Sequence, residues 1–225
     1  RKKGKEAFNS LPEYNRFVDD AYLLKGIAEL YKHEYFPAIE TFTFLIKEYS
    51  MMEVKYDGQL WLARTYIEMN KFSNASTLID QMEGDNTFPE RLERDLYLTQ
   101  AEFYKKQYQY EQAVEYLEKV IDLTKNKTYK YRYHFIIAQL YQELNQNDKA
   151  NENYAIVMRK NPIYQMVFNA RINMAQLYNS SQGSAKELKA ELIKMMKDDK
   201  TKEYLDQIYF ALGAIERGEN NIPEA

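Results

Sequence analysis

One small pattern constrains this chain more than anything else in it. Ala-x-x-Tyr stands at Ala63–Tyr66, Ala101–Tyr104, Ala138–Tyr141 and Ala175–Tyr178, with successive copies 38, 37 and 37 residues apart. A second alanine lies twelve residues after the first in three copies, at Ala75, Ala113 and Ala150, and Ala38 precedes them; these spacings are 37, 38 and 37. Two independent landmarks with one period mark an array of repeats, because a single irregular core imposes no such rhythm.

Within a copy the apolar residues recur at helical spacing, as in Leu60, Ala63 and Ile67 and then Leu78, Ile79 and Met82, with the polar turn Asn70-Lys71 between the two stripes. Each copy therefore reads as two antiparallel helices. A pair this small cannot bury its apolar faces alone and must stack on its neighbours. The small Ala lets helix backbones approach, and the Tyr fills the adjoining groove. With 7 Gly and 5 Pro in 225 residues, few breakers interrupt the helices.

These residues resemble the tetratricopeptide repeat. The correspondence runs through Gly26, Tyr35, Ala38 and Phe42 in the first clear copy, Tyr97, Ala101, Tyr104, Tyr110 and Ala113 in the third, and Ala138, Tyr141, Ala150, Tyr154 and Pro162 in the fourth. The resemblance implies an all-α, right-handed superhelical solenoid of antiparallel helix pairs. The repeats exceed the common length of roughly 34 residues, which we read as about one extra helical turn per repeat. The expected organisation is a single array over 1–225. Residues 1–18 are the tail of a preceding repeat and a linker, repeats follow at 19–55, 56–93, 94–130, 131–167 and 168–205, and 206–225 is a truncated sixth. The fifth is expected to be irregular, because Ser180-Ser181-Gln182-Gly183 interrupts it and Glu187 stands where Ala is expected; Ser184-x-x-Glu187 reads as a capping box. Tyr209, Leu212 and Gly213 open the sixth copy, and Ala225 falls within its second helix. Pro12 sits where a preceding repeat would close, with Lys5–Leu11 as its last turns. The chain is thus expected to be a piece of a longer array, with a last helix that frays or packs against a neighbouring molecule in a crystal.

The run Tyr14–Gly26 is similar to the entry of tetratricopeptide lipoproteins of Bacteroidetes outer membranes linked to gliding motility and type IX secretion, and to outer-membrane assembly lipoproteins. That resemblance implies a site on the periplasmic side of the outer membrane and a lipid anchor outside this sequence; a cytoplasmic location is the alternative.

Charge and chemistry narrow the function. Lys plus Arg is 31 and Asp plus Glu is 34, a net charge of −3 that offers no electrostatic case for nucleic acid. There is no Cys, which excludes disulfides, thiolate zinc sites and cysteine nucleophiles. No apolar stretch reaches the ~18 residues of a membrane span. The two histidines, His33 and His134, are about two and a half repeats apart and read as a turn residue and a packing residue. The neighbouring acids Asp19-Asp20 and Asp198-Asp199 diverge on a helix and cannot form a catalytic pair; Asp19 reads as helix-start chemistry. Glu83-Gly84-Asp85-Asn86 lacks the acid spacing of a calcium loop and reads as a turn. No phosphate-cradling glycine pattern and no HExxH spacing appear. We expect no enzyme, no metal and no cofactor.

In the resembled family the first helix of each repeat lines a concave groove. Carried onto this chain, that surface comprises Leu23, Ile27, Tyr31, Leu60, Arg64 and Glu68, then Leu98, Glu102, Lys105 and Phe135, then Gln139, Gln142, Asn169 and Gln176. It runs from apolar to charged to amide-rich. Leu23 and Ile27 stand where chaperone-binding relatives carry the cations and Asn that clamp a peptide carboxylate. Such a clamp is therefore not expected. The implied function is a scaffold for a protein or peptide partner in an envelope assembly. Two alternatives are a carbohydrate-binding lipoprotein, for which the single Trp61 is sparse, and an all-α enzyme, for which no converging site appears.

Overall fold

The computed structural model describes residues 17–160, 163–178 and 185–219. Among these residues it is all-α. Pro12, Lys5–Leu11, Pro162, Ser180–Gly183, Ser184 and Ala225 fall outside them, and so do the expectations attached to those residues. The helices are α1 (Val18–Tyr31), α2 (Tyr35–Glu48), α3 (Val54–Glu68), α4 (Phe72–Glu83), α5 (Glu93–Lys106), α6 (Tyr110–Leu123), α7 (Lys127–Glu143), α8 (Asn147–Lys160), α9 (Tyr164–Gln176), α10 (Ala185–Met196) and α11 (Leu205–Gly218). Short 3₁₀ turns at Glu90–Leu92 and Asp199–Tyr204 precede α5 and α11. The chain divides into two compact units, 1–108 and 109–225.

The two landmark alanines are buried because they sit at helix crossings. Ala38, Ala63, Ala75, Ala113, Ala138, Ala150 and Ala175 are all fully buried. In α6 the apolar residues Ala113, Val114, Leu117 and Val120 form the buried stripe that a 3.6-residue period lays on one face. Gly26 replaces the alanine in α1 for a local reason: a Cβ there would lie 2.5 Å from Cε1 of Phe42, whose ring presses on the α1 backbone.

The turns inside the pairs reveal a third landmark that composition hides. Four residues that are not glycine have positive φ, namely His33 (61°), Asn70 (57°), Tyr108 (61°) and Asn145 (56°). They repeat at the same 37- and 38-residue spacing, which continues through Tyr108 without a break. Each follows a helix in the left-handed conformation, and after His33, Asn70 and Asn145 the following amide reaches back across the last turn. Glu34 N donates to Glu29 O, Lys71 N to Tyr66 O and Gln146 N to Tyr141 O, at 2.9, 2.8 and 2.9 Å.

The extra length per repeat is not a helical turn. Most helices run 12 to 15 residues, and only α7 reaches 17. Additional residues go instead into connections such as 49–53 and 84–92. In the second of these, Asp85 Oδ1 accepts from Thr87 N at 2.8 Å and Asp85 Oδ2 from the Tyr56 hydroxyl at 2.6 Å, so the Glu83–Asn86 region is a braced turn. Asp19 and Asp20 lie in the first turn of α1, where they favour the helix dipole, but Phe17 is the cap residue and no side chain caps that end.

In the first unit α2 packs on both α1 and α3, α4 packs on α3 and α5, and α3 touches both α1 and α5. The second unit follows the same rule: α8 lies between α7 and α9, and α10 and α11 pack together against α9. One register on the odd-numbered helices faces the preceding pair. It holds Gly58 and Thr65 on α3, Leu96 and Thr99 on α5, Ala170 on α9, and Ile208, Ala211 and Ile215 on α11, all buried. On α1, which follows no described pair, the equivalent Ala21, Leu24 and Ala28 are exposed, Leu24 at 65%. The last described helix, α11, is seated through Ile208, Ala211 and Ile215 against Phe168, Ile172 and Ala175 of α9.

Candidate binding grooves

Each unit carries a groove lined mainly by odd-numbered helices. In the first unit it is a cavity of about 250 Å³ lined by Leu30, Tyr31, His33, Tyr35, Trp61, Arg64, Glu68, Glu102, Lys105 and Lys106. Trp61, Arg64 and Glu68 share one face of α3 because they are spaced i, i+3, i+7. Arg64 ties α3 to α5: its Nε donates to Thr99 Oγ1 at 3.0 Å and its Nη2 to the Asp95 carbonyl at 3.3 Å. Its guanidinium carbon lies 4.8 Å from the Trp61 ring centre, and Tyr31 meets Trp61 edge-on at 6.2 Å. Glu102 stands 3.7 Å from Arg64, and Lys106 pairs with Glu68 at 3.2 Å. Desolvation raises the Glu102 carboxyl above its ordinary value, opposed by Arg64 and Lys105. About half of that side chain remains exposed, so solvent screens much of the effect. The charges of this groove are largely answered by one another.

The second groove is larger, about 600 Å³, and chemically different. It is lined by Phe135 and Gln139 of α7, by Asn169, Ile172, Asn173 and Gln176 of α9, and by Asp206, Gln207 and Phe210 of α11. Behind it, Tyr154 of α8 is completely buried. Its hydroxyl donates to Gln142 Oε1 and accepts from Asn173 Nδ2, the latter at 2.8 Å. Burial pushes the Tyr154 hydroxyl up to about 12, partly offset by the Asn173 hydrogen bond. The Phe135 ring meets Tyr154 edge-on at 5.5 Å.

The structure sorts the sequence-derived residues. Tyr31, Arg64, Glu68, Glu102 and Lys105 converge in the first groove, and Phe135, Gln139, Asn169 and Gln176 in the second. Leu60 does not line a groove; at 2% exposure it is core, packed with Tyr56, Ala63, Ile79, Met82, Leu92 and Leu96. It turns toward α4 and the next odd-numbered helix, and Trp61 takes the groove position beside it. Leu23 and Ile27 are half-buried against the Leu30–Ala38–Phe42–Leu62 cluster and serve the α1–α2–α3 contact. Leu98 is half-buried and lines neither groove. Gln142 is committed to Tyr154. Asn173, Asp206 and Phe210 were not anticipated, although a 37-residue step from Asn169 and Asn173 lands on the latter two.

His33 Nδ1 lies 2.9 Å from the Tyr35 hydroxyl, and His134 Nδ1 lies 2.9 Å from Asn153 Oδ1. Among the described residues, no group of three or more His, Asp or Glu is arranged to hold a metal ion. None of their helices is long and apolar enough to cross a membrane.

A family profile described as Tetratricopeptide repeat matches residues 95–123. Among solved structures, a putative kinesin light chain from Podosopora anserina with nearly identical TPR-like repeats is similar at TM-score 0.60 and 15% identity, over 91% of this chain and 99% of that one. BtubC from P. vanneervenii is similar at TM-score 0.58 and 15% identity, over 90% and 86%. MamA is similar at TM-score 0.53 and 14% identity, over 92% and 95%. At these identities the likeness concerns the fold. The search of curated proteins returned no match. The profile match marks a tetratricopeptide repeat at 95–123, and the structural neighbours share the all-α stacking of helix pairs.

Proposed function

We propose that this chain is a protein-binding scaffold that engages its partner through the grooves of the odd-numbered helices. The observation that carries the reading is the second groove, where polar side chains from α7, α9 and α11 converge on an open cavity while the adjoining core is filled by Tyr154. Tetratricopeptide proteins generally mediate protein–protein contacts, and the 95–123 match supports that use here. The finer assignment, a part of a bacterial envelope assembly on the periplasmic side of the outer membrane, rests on the Tyr14–Gly26 resemblance.

The test is co-purification from an envelope extract with the native chain and with Gln139→Arg/Gln176→Arg. The reading expects a defined protein partner that the double variant loses while its helical circular dichroism is unchanged. Retention of glycans with no protein partner would instead favour the carbohydrate-binding reading.

A further inference from the structure

We propose that an acidic cavity beside the α4–α5 connection binds an organic cation, an alkylammonium or guanidinium group. The cavity lies in the first unit, and its lining shares no residue with either groove. Its volume is about 380 Å³, within the range of about 300–1,000 Å³ usual for small-ligand sites. Four carboxylates line it: Glu83 at the end of α4, Asp85 and Glu90 in the connection, and Glu93 at the start of α5. No Lys, Arg or His joins them. Among the described residues none of the four forms a salt bridge, because the nearby cations are engaged elsewhere. Arg91 holds Glu53 and Asp57 at 3.2 and 2.8 Å, and Arg94 holds Asp95 at 3.1 Å. Lys55, whose charge also reaches Asp85, sits over the Tyr56 ring at 4.5 Å. Helix α4 has no basic residue in its last turn, so the negative end of its dipole adds to the same field. A bound cation relieves the mutual repulsion of the four acids.

A separate observation indicates a donor ligand. Gln100 is 2% exposed and stands one turn beyond Leu96 and Tyr97, on the α5 face that carries Glu93. Its Nε2 donates to Glu83 Oε1 at 2.6 Å, while its buried Oε1 has no hydrogen-bond partner. An unpaired buried acceptor is costly, and an N–H of a cation held at Glu83 is the donor it lacks. The arrangement favours an organic cation over a bare metal ion. Among the described residues no three acids are arranged to hold a metal, so the carboxylates are spread around the cavity and suit several N–H donors of a larger group. Phe88 and Tyr97 add aromatic surface to the lining, which attracts such a cation further. A free polyamine and a Lys or Arg side chain of a protein both present this chemistry.

The test is calorimetry on the 225-residue chain with two probes, spermidine and a short arginine–glycine peptide, at matched ionic strength. Saturable binding of at least one is expected; spermidine alone identifies a free polyamine as the source, and binding of the peptide identifies a protein side chain. Glu83→Gln/Glu93→Gln weakens binding about tenfold or more, the loss of two charged contacts, with unchanged circular dichroism. The control Glu40→Gln/Glu48→Gln removes the same charge from exposed positions of α2 and leaves the affinity within about twofold. In NMR spectra the Gln100 side-chain amide resonances move on saturation. No saturable binding of either probe, equal loss in the two double variants, or a stationary Gln100 amide would each overturn the proposal. Ca²⁺ displacing the bound probe at matched ionic strength would overturn it in favour of a metal site. The scaffold reading stands apart from all these outcomes, since its partner is scored at Gln139 and Gln176.

Discussion

Replacing Leu60 with alanine should cost the first unit about 3 kcal/mol, the middle of the range for a fully buried leucine. Leu60 is 2% exposed, and six buried neighbours from α3, α4, the following 3₁₀ turn and α5 close around it. Removing its isobutyl body leaves a cavity that these helices can refill only partly. Leu24→Ala is the internal control: that side chain is 65% exposed, so it retains about a third of the burial and should cost below ~1 kcal/mol. Both sites are helical, and alanine's better propensity returns only a few tenths of a kcal/mol in either case. Urea unfolding followed by Trp61 fluorescence reads the comparison directly, because the only Trp adjoins Leu60 in α3. With a slope of ~1.5 kcal/mol/M the Leu60 variant should unfold about 2 M earlier. A midpoint shift no larger than that of Leu24→Ala would refute the core assignment and return Leu60 to the groove.

Three further outcomes follow from local geometry. Gly26→Ala should destabilise by about 1–3 kcal/mol in the same urea assay, because its Cβ would meet the buried Phe42 ring at 2.5 Å. Asn70→Ala should cost about 1 kcal/mol and Asn70→Gly almost nothing, since φ at this position is 57°; equal melting temperatures for the two would contradict the left-handed cap. Asp85 should titrate at about 2 in an NMR carboxyl titration, held down first by Thr87 and then by Tyr56, so Tyr56→Phe should raise it. A folded-state value depressed in this way contributes stability that is present above the unfolded carboxyl range near 4. That stability is lost as pH falls toward 2; an unperturbed Asp85 would sink the braced-turn account.

The repeat and the helix pairs were legible because stacking demands small residues at fixed places. Ala63 and Ala75 could not be larger without separating α3 from its neighbours, so the period survives in the sequence. Groove identity was less legible, because it depends on a rotation of about 100° between adjacent residues. Leu60 and Trp61 differ by one position, and only the packing of α4 and α5 decides that Leu60 turns inward. Gln142 shows a different limit: its spacing fits the groove, but the buried Tyr154 hydroxyl claims it. The Tyr108 cap was invisible for a third reason, since tyrosine carries no preference for positive φ and the conformation there is set by the turn.

The central claim is that partners bind the odd-numbered helices. A photo-crosslinking residue placed singly at Glu68, Lys105, Gln139 and Gln176, and at the exposed even-helix positions Glu40, Lys47, Glu111 and Glu118, tests it directly. The account predicts protein adducts from groove positions, with few from the even-numbered helices. Adducts confined to Glu40, Lys47, Glu111 and Glu118, or spread equally over both sets, would contradict it.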